Sequence, residues 1–433
     1  MIYVFLLCYI PMLITQLADF CIPAGLLLGV LSVYCLFRQR SRLPLNEKIL
    51  AGELILLPLL CGLYLLLGFS DDGFRYVGQT AIFSIGALSS LAVLYFFPRK
   101  ERRDLFVGIC VIFLLNLLFM AFLGKNALDE NDTNLANHIT GAPYCNSIMI
   151  FSGICFALGL QATGRMAKLL LFGVSLLSFA VITVILQRAI NAILCLFMLL
   201  LLAIFSSRYR KLILAALVLF VLVFVLSGAV PACIKAVCSL FPGDRLANRL
   251  KSIADLMTTG EMSSLSKSIL LRFAFLQNSI NTWLTDSTTF IIGYGSHSKN
   301  YSVISGHSDI LDTFAKYGLV GGLLLVDILR RSIIVILRKH TRIQKYYTGI
   351  IIAFVILWGV LGGIFRAYTA VMLFVALPIS AQYAQLLAGY RPKPSGIYAF
   401  ARRLLTKNMF SVAERDIHQS SRLVARKHRR DKK

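Results

Sequence analysis

Residues 290–322 read FIIGYGSHSKNYSVISGHSDILDTFAKYGLVGG. The first half is polar and rich in turn formers, with Gly293, Gly295 and Gly306, several hydroxyls, and the histidines His297 and His307. Ser308 and Asp309 then open a helix that runs straight into apolar residues. A glycine-rich polar loop feeding an apolar helix is the pattern of a chain entering a membrane from its surface. Charged and hydroxylic groups are held at that boundary, and the rest of the chain reads as the scaffold that holds them there.

The flanking sequence extends this pattern. Of 433 residues, 58% are hydrophobic, and the mean hydropathy is +0.77. A soluble fold of this size does not carry that load. Apolar runs of roughly 17–25 residues recur, the length that spans a bilayer as a helix. They lack the alternation of barrel strands, which leaves helices as the way to satisfy the backbone in lipid. The N-terminal stretch MIYVFLLCYIPMLITQ has no basic segment ahead of it and is expected to be a retained span. The ten cysteines lie in or beside apolar segments without metal-type spacing, and read as small apolar filler.

The spacing predicts an all-α polytopic membrane protein of about twelve spans. These are 2–17, 22–37, 47–68, 77–97, 105–123, 145–160, 169–186, 190–205, 212–226, 319–337, 348–364 and 370–387. Residues 1–226 then hold the first nine spans, 227–306 one large helical outer loop, 307–390 the last three spans, and 391–433 a basic tail. Arginines and lysines crowd alternate connections: Arg38 to Arg42, Arg99 to Arg103, Arg165 and Lys168, Arg208 to Lys211, Arg338 and Lys339, and the tail. The net charge of +24 is therefore assigned to the positive-inside bias, with both termini cytoplasmic, and not to nucleic-acid binding. In the outer loop, Pro242-Gly243-Asp244 opens a predicted helix with Leu246, Leu250, Ile253 and Met257 at helical spacing. A second helix is predicted from Ser263 to Leu284 and carries Arg272. Both are expected to lie on the outer membrane surface and roof a cavity.

His307 titrates near neutrality and is the candidate general base for an attacking hydroxyl; the plainer reading is a loop histidine that only hydrogen-bonds. Ser308 or Asp309 can cap the helix behind it, Asp309 and Asp312 suit its positive end, and Asp309 is the next candidate base. Arg188 sits in a short outer turn between two apolar helices. Its planar fork suits a diphosphate, and the plainer reading is snorkelling to headgroups. Arg272, among apolar residues of the outer loop, is a candidate of the same kind, and Arg366, Arg245 and Arg249 are secondary ones. No metal site is expected, since the acidic clusters Asp71-Asp72 and Asp129 to Asp132 read as solvated loop charge. Within the spans, Glu53 and Asp327 lie near inner ends, and Asp327 is placed to pair with Arg331. No chain of acids crosses the midplane, which weighs against a proton-coupled transporter.

On these residues the chain resembles the bacterial O-antigen polymerase and O-antigen ligase superfamily, the polytopic glycosyltransferases of the inner membrane. The likeness rests on the late outer loop and on the arginine of Gln187-Arg188-Ala189. It rests also on Leu271-Arg272-Phe273 followed by Gly293-Tyr294-Gly295, and most on His307-Ser308-Asp309 followed by Tyr317-Gly318-Leu319-Val320-Gly321. Many members have Asn after the histidine and Ser before the first arginine, where this chain has Ser308 and Gln187. The resemblance implies sugar-to-sugar transfer outside the membrane, with an undecaprenyl-diphosphate-linked oligosaccharide as donor and another as acceptor. It gives His307 the role of base and Arg188 and Arg272 that of contacts to the departing diphosphate. It implies no cofactor and no metal, and it brings membrane lipid and a chain-length regulator protein as partners. Gly306-His307-Ser308 with Lys316-Tyr317-Gly318 favours polymerase over ligase, which would move the glycan to lipid A–core. Other readings are a lipid-linked-oligosaccharide flippase and a structural assembly protein that docks through the tail.

Overall fold

The computed structural model describes residues 1–14, 17, 20–38, 41, 43–68, 74–129, 144–186, 188–207, 209–226, 251, 254–255, 264–295, 304, 308–338 and 340–387. All regular elements among them are helical. In chain order they are α1 (Ile2–Leu13), α2 (Cys21–Arg38), α3 (Leu45–Leu66), α4 (Phe74–Phe96), α5 (Arg99–Asp129), α6 (Tyr144–Gln161), α7 (Arg165–Ala180), α8 (Ala189–Ser206) and α9 (Arg210–Leu226). Further along the chain come α10 (Ser264–Trp283), α11 (Ser287–Ile291), α12 (Asp309–Arg338), α13 (Arg342–Leu361) and α14. The last begins as Ala367–Ala370, passes through a π turn Val371–Ala376 and ends as Leu377–Leu387. All described residues belong to one compact unit, Met1–Ala388.

Among the described residues, eight helices are long and apolar enough to cross a membrane. Their burial divides them into a centre and a rim. α6 and α14 are 83% buried over their apolar windows, against 28% for α2 and α3 and 22% for α7 and its extension. A helix apolar all round belongs inside a bundle, and rim helices leave large apolar side chains such as Leu26, Leu59 and Leu169 outward, as lipid-facing residues would be.

Several predicted boundaries shift: α5 runs from Arg99 to Asp129 rather than 105–123, and α13 starts at Arg342 rather than Thr348. α1 ends at Leu13, short of Leu17, two residues past its internal proline Pro11. α12 starts at Asp309, well before Leu319, and is kinked at Gly318 (φ 60°, ψ −158°). Its first half is amphipathic because it receives α10 and α11. Ser279 donates to Asp312 at 2.7 Å, and Trp283 packs on Phe290 and Phe314 at ring distances of 5.3 and 4.8 Å. Behind α11 the chain zips onto the kink, with Tyr294 N–H on Ala315 O (2.8 Å) and Gly295 N–H on Lys316 O (3.0 Å). The second outer-loop helix thus exists within a residue of its predicted bounds. Of the first, only residues 251, 254 and 255 are described; Arg245 and Arg249 lie outside the described residues, as does the basic tail.

The bundle has a basic end. Arg38, Arg99, Arg165, Arg210, Arg338 and Arg342 all stand at helix termini there. Just inside it, Glu47 accepts from Arg338 (3.0 Å) and Tyr95 (2.5 Å). Arg331 binds Asp327 at 2.7 Å, as its spacing predicts, and also Glu53 of α3 at 3.0 Å. These pairs clasp α3 and α4 to α12, and they occupy the acids with basic partners.

Candidate functional site at the end opposite the basic loops

Helices α6, α8, α12 and α14 all begin at the other end of the bundle. The ring of Tyr144, first residue of α6, meets Tyr368 of α14 at 5.0 Å. Its hydroxyl, with the amide of Asn116, is anchored on the carbonyl of Leu13 (2.8 and 3.0 Å). Cys145 lies within reach of the charge of Arg188, and Tyr368 within reach of Cys145 and of Arg366. The two arginines therefore flank the start of α6.

Each arginine occupies the cap position of its helix, Arg188 for α8 and Arg366 for α14. A guanidinium has no acceptor with which to cap backbone N–H groups, and its charge opposes the positive end of the helix dipole. For the fold alone, serine or aspartate would serve better. Both positions also adjoin a π turn. Val181–Ile185 precedes Arg188, whose N–H reaches back to Ile182 O (3.2 Å), and Val371–Ala376 follows the first turn after Arg366. Such wide turns are disfavoured and recur at functional sites. Two arginines at the caps of two helix N-termini form an arrangement suited to an anion.

Asp309 holds the second arginine in place. Its Oδ2 accepts the N–H groups of Ile364 (2.5 Å) and Phe365 (2.7 Å), its own N–H donates to Gly362 O (3.1 Å), and the charge of Arg366 acts on it. Capping of α12 falls to Ser308, whose Oγ accepts from Leu311 N–H at 3.0 Å. A carboxylate so engaged positions the turn that carries Arg366.

Of the other candidates, Arg272 lies on α10, the helix pinned to α12, and His307 lies outside the described residues, one position before Ser308. His340, the one histidine among the described residues, sits at the basic end, and burial pulls its pKa down to about 4. Three polar features were given no role in the site by the sequence. Lys316 is 4% exposed and places its Nζ 3.2 Å from the centre of the Tyr76 ring. Asn146 of α6 and Asn191 of α8 are buried near Arg188. The signal for the asparagines was there, since a carboxamide within an apolar run is costly in lipid unless something meets it.

No protein-family model matches the chain, and no curated protein sequence is similar to it.

Proposed function

We propose that the protein is a polymerase of bacterial surface polysaccharide, of the O-antigen or capsular kind. It would join undecaprenyl-diphosphate-linked repeat units at the outer face of the cytoplasmic membrane. In this reading about twelve helices cross the membrane, the basic end faces the cytoplasm, and the end with Arg188 and Arg366 faces outward. The observation that carries the reading is the pair of arginine-headed helix N-termini flanking α6 at that outward end.

The chemistry follows from the groups. A hydroxyl at the non-reducing end of one lipid-linked repeat attacks C1 of the sugar on the other lipid. The bond from C1 to the phosphate oxygen breaks, and undecaprenyl diphosphate leaves with the electron pair. His307 takes the hydroxyl proton. Arg188, Arg366 and Arg272 meet the charge that grows on the diphosphate. The leaving group is already activated, so the scheme uses no nucleotide, cofactor or metal. The acids Glu53 and Asp327 are bound to Arg331, which weighs against their serving as carriers in a proton-coupled flippase.

Banding of lipopolysaccharide or capsule from a deletion strain tests the proposal. A single repeat on the core supports a polymerase. Long lipid-linked glycan with a bare core assigns the chain to the ligase branch instead, and unchanged surface glycan rejects both.

A further inference from the structure

Asn146 is 0% exposed and Asn191 2%. Neither amide atom of Asn146 has a hydrogen-bond partner among the described residues, nor does Nδ2 of Asn191. Buried amides are almost always paired, because one left unmade carries its full desolvation penalty. Two side by side are harder still to explain by packing.

That they are side by side follows from the helices. α6 and α8 both start at the Arg188 end and run parallel. Their contact is fixed where Gly153 faces Met198, since a Cβ on the glycine would stand 2.8 Å from the methionine methyl. Asn146 and Asn191 each lie about two turns nearer the N-terminus, on the same face and at the same level. Both belong to the first turn of their helix. Asn191 is in the turn that Arg188 caps, and Asn146 is next to Cys145, on which the Arg188 charge acts.

A diphosphate offers only acceptors, which guanidinium groups satisfy. A carboxamide offers a donor and an acceptor together, which matches neighbouring sugar hydroxyls or an acetamido group. Resting on the function proposed above, we infer that Asn146 and Asn191 form a subsite for the sugar attached directly to the diphosphate, placed beside the Arg188 phosphate contact. The subsite would let the protein distinguish a sugar-bearing lipid diphosphate from the bare lipid diphosphate that leaves after transfer.

The test uses full-length protein in nanodiscs, with binding read by native mass spectrometry. The two probes are undecaprenyl diphosphate and undecaprenyl-diphosphate-linked N-acetylglucosamine. Wild-type protein is expected to prefer the sugar-bearing probe. Asn146→Leu, with the same branching and heavy-atom count but apolar, is expected to bind bare undecaprenyl diphosphate as before and to lose about tenfold toward the sugar-bearing probe, the effect of two or so neutral hydrogen bonds. Its Tm is expected to hold or rise, because an unmatched amide leaves the core; Asn191→Leu should behave alike. Equal binding of both probes by wild type and variant overturns the subsite and leaves the diphosphate contact standing. A fall in Tm shows a structural partner for the amide and also overturns it. Failure of wild-type protein to bind either probe removes the function on which the subsite rests.

Discussion

Asp309 holds the backbone of Phe365. One oxygen of its carboxylate accepts both the Phe365 N–H at 2.7 Å and the Ile364 N–H at 2.5 Å, joining the start of α12 to the turn that carries Arg366. Asn at this position keeps an acceptor oxygen for the same two donors, whereas Ala leaves both unmade at about 1–3 kcal/mol each. Asp309→Asn is therefore expected to keep most polymer formation, and Asp309→Ala to lower both Tm and polymer. Thermal unfolding of the solubilised protein and surface-glycan banding measure the two effects. A dead Asn variant with an intact fold would make Asp309 the base after all.

Gly318 and Gly293 interlock where α11 meets the kink of α12. Both have positive φ, 60° and 95°. A Cβ on Gly318 would collide with the carbonyl oxygen of Ile291, and one on Gly293 with that of Lys316. The backbone strain alone is about 1–3 kcal/mol for a non-glycine residue, and neither carbonyl belongs to a flexible side chain that could move aside. Gly318→Ala is expected to lower the amount of protein in the membrane, while Gly349→Ala, where nothing stands within 4 Å, is expected to change nothing. Quantitative immunoblotting of membranes compares them; equal levels would mean that the kink is not needed to seat the outer helices.

Orientation follows from the basic end. Reporter fusions at Arg102 and Lys407 are expected to read cytoplasmic, and fusions at Asp132 and Ser263 to read as outside. A cytoplasmic signal at Ser263 would put α10 and the arginine-headed helix ends on the wrong face for the proposed chemistry.

The long apolar helices were legible because hydrophobicity is a local property. A run such as Leu105 to Leu123 announces its helix with no knowledge of its neighbours. Asp327 with Arg331 was legible for the same reason, being one helical turn apart, but Glu53, which completes the clasp, comes from a distant helix. Asp309 shows the limit more sharply. From sequence it is a cap for its own helix, yet its bonds go to residues 364 and 365. Arg188 and Arg366 stood out singly as outer-turn cations. Their shared position as helix caps around α6 depends on packing among four helices, which no local pattern encodes. Asn146 and Asn191 were overlooked because each lies within an apolar run, where one carboxamide barely changes the average.

At His307, too, a hydrogen-bonding role and a proton-accepting role make opposite predictions. His307→Ala is expected to abolish polymer at normal membrane abundance, since loss of a general base removes about 10²–10⁴-fold in rate. His307→Gln keeps hydrogen bonding and takes no proton, so it is expected to fail as well. His297→Ala, in the same loop, should be far milder. Surface-glycan banding normalised to protein level decides; normal polymer from the Gln variant would make His307 structural.

Arg188 offers a test in which stability and activity part company. As a cap residue it brings no acceptor to the first turn of α8, and its charge faces the positive end of the dipole. Serine in its place supplies the missing acceptor and removes the repulsion, terms of about 0.5–2 and 0.3–1 kcal/mol. A side chain kept for the fold would show the reverse. Arg188→Ser gains that cap and loses the arginine's own contact within the fold, so Tm is expected to change little while polymer formation drops by about 10²–10³-fold, the scale of losing one group that meets charge in the transition state. Arg188→Lys, which keeps the charge and loses the planar fork, should fall between. Unfolding curves and banding on the same membrane preparations read both quantities. Polymer at wild-type level in the serine variant would remove Arg188 from the diphosphate contact. A lowered Tm with parallel loss of polymer would show instead that the arginine is there to hold α8 in place.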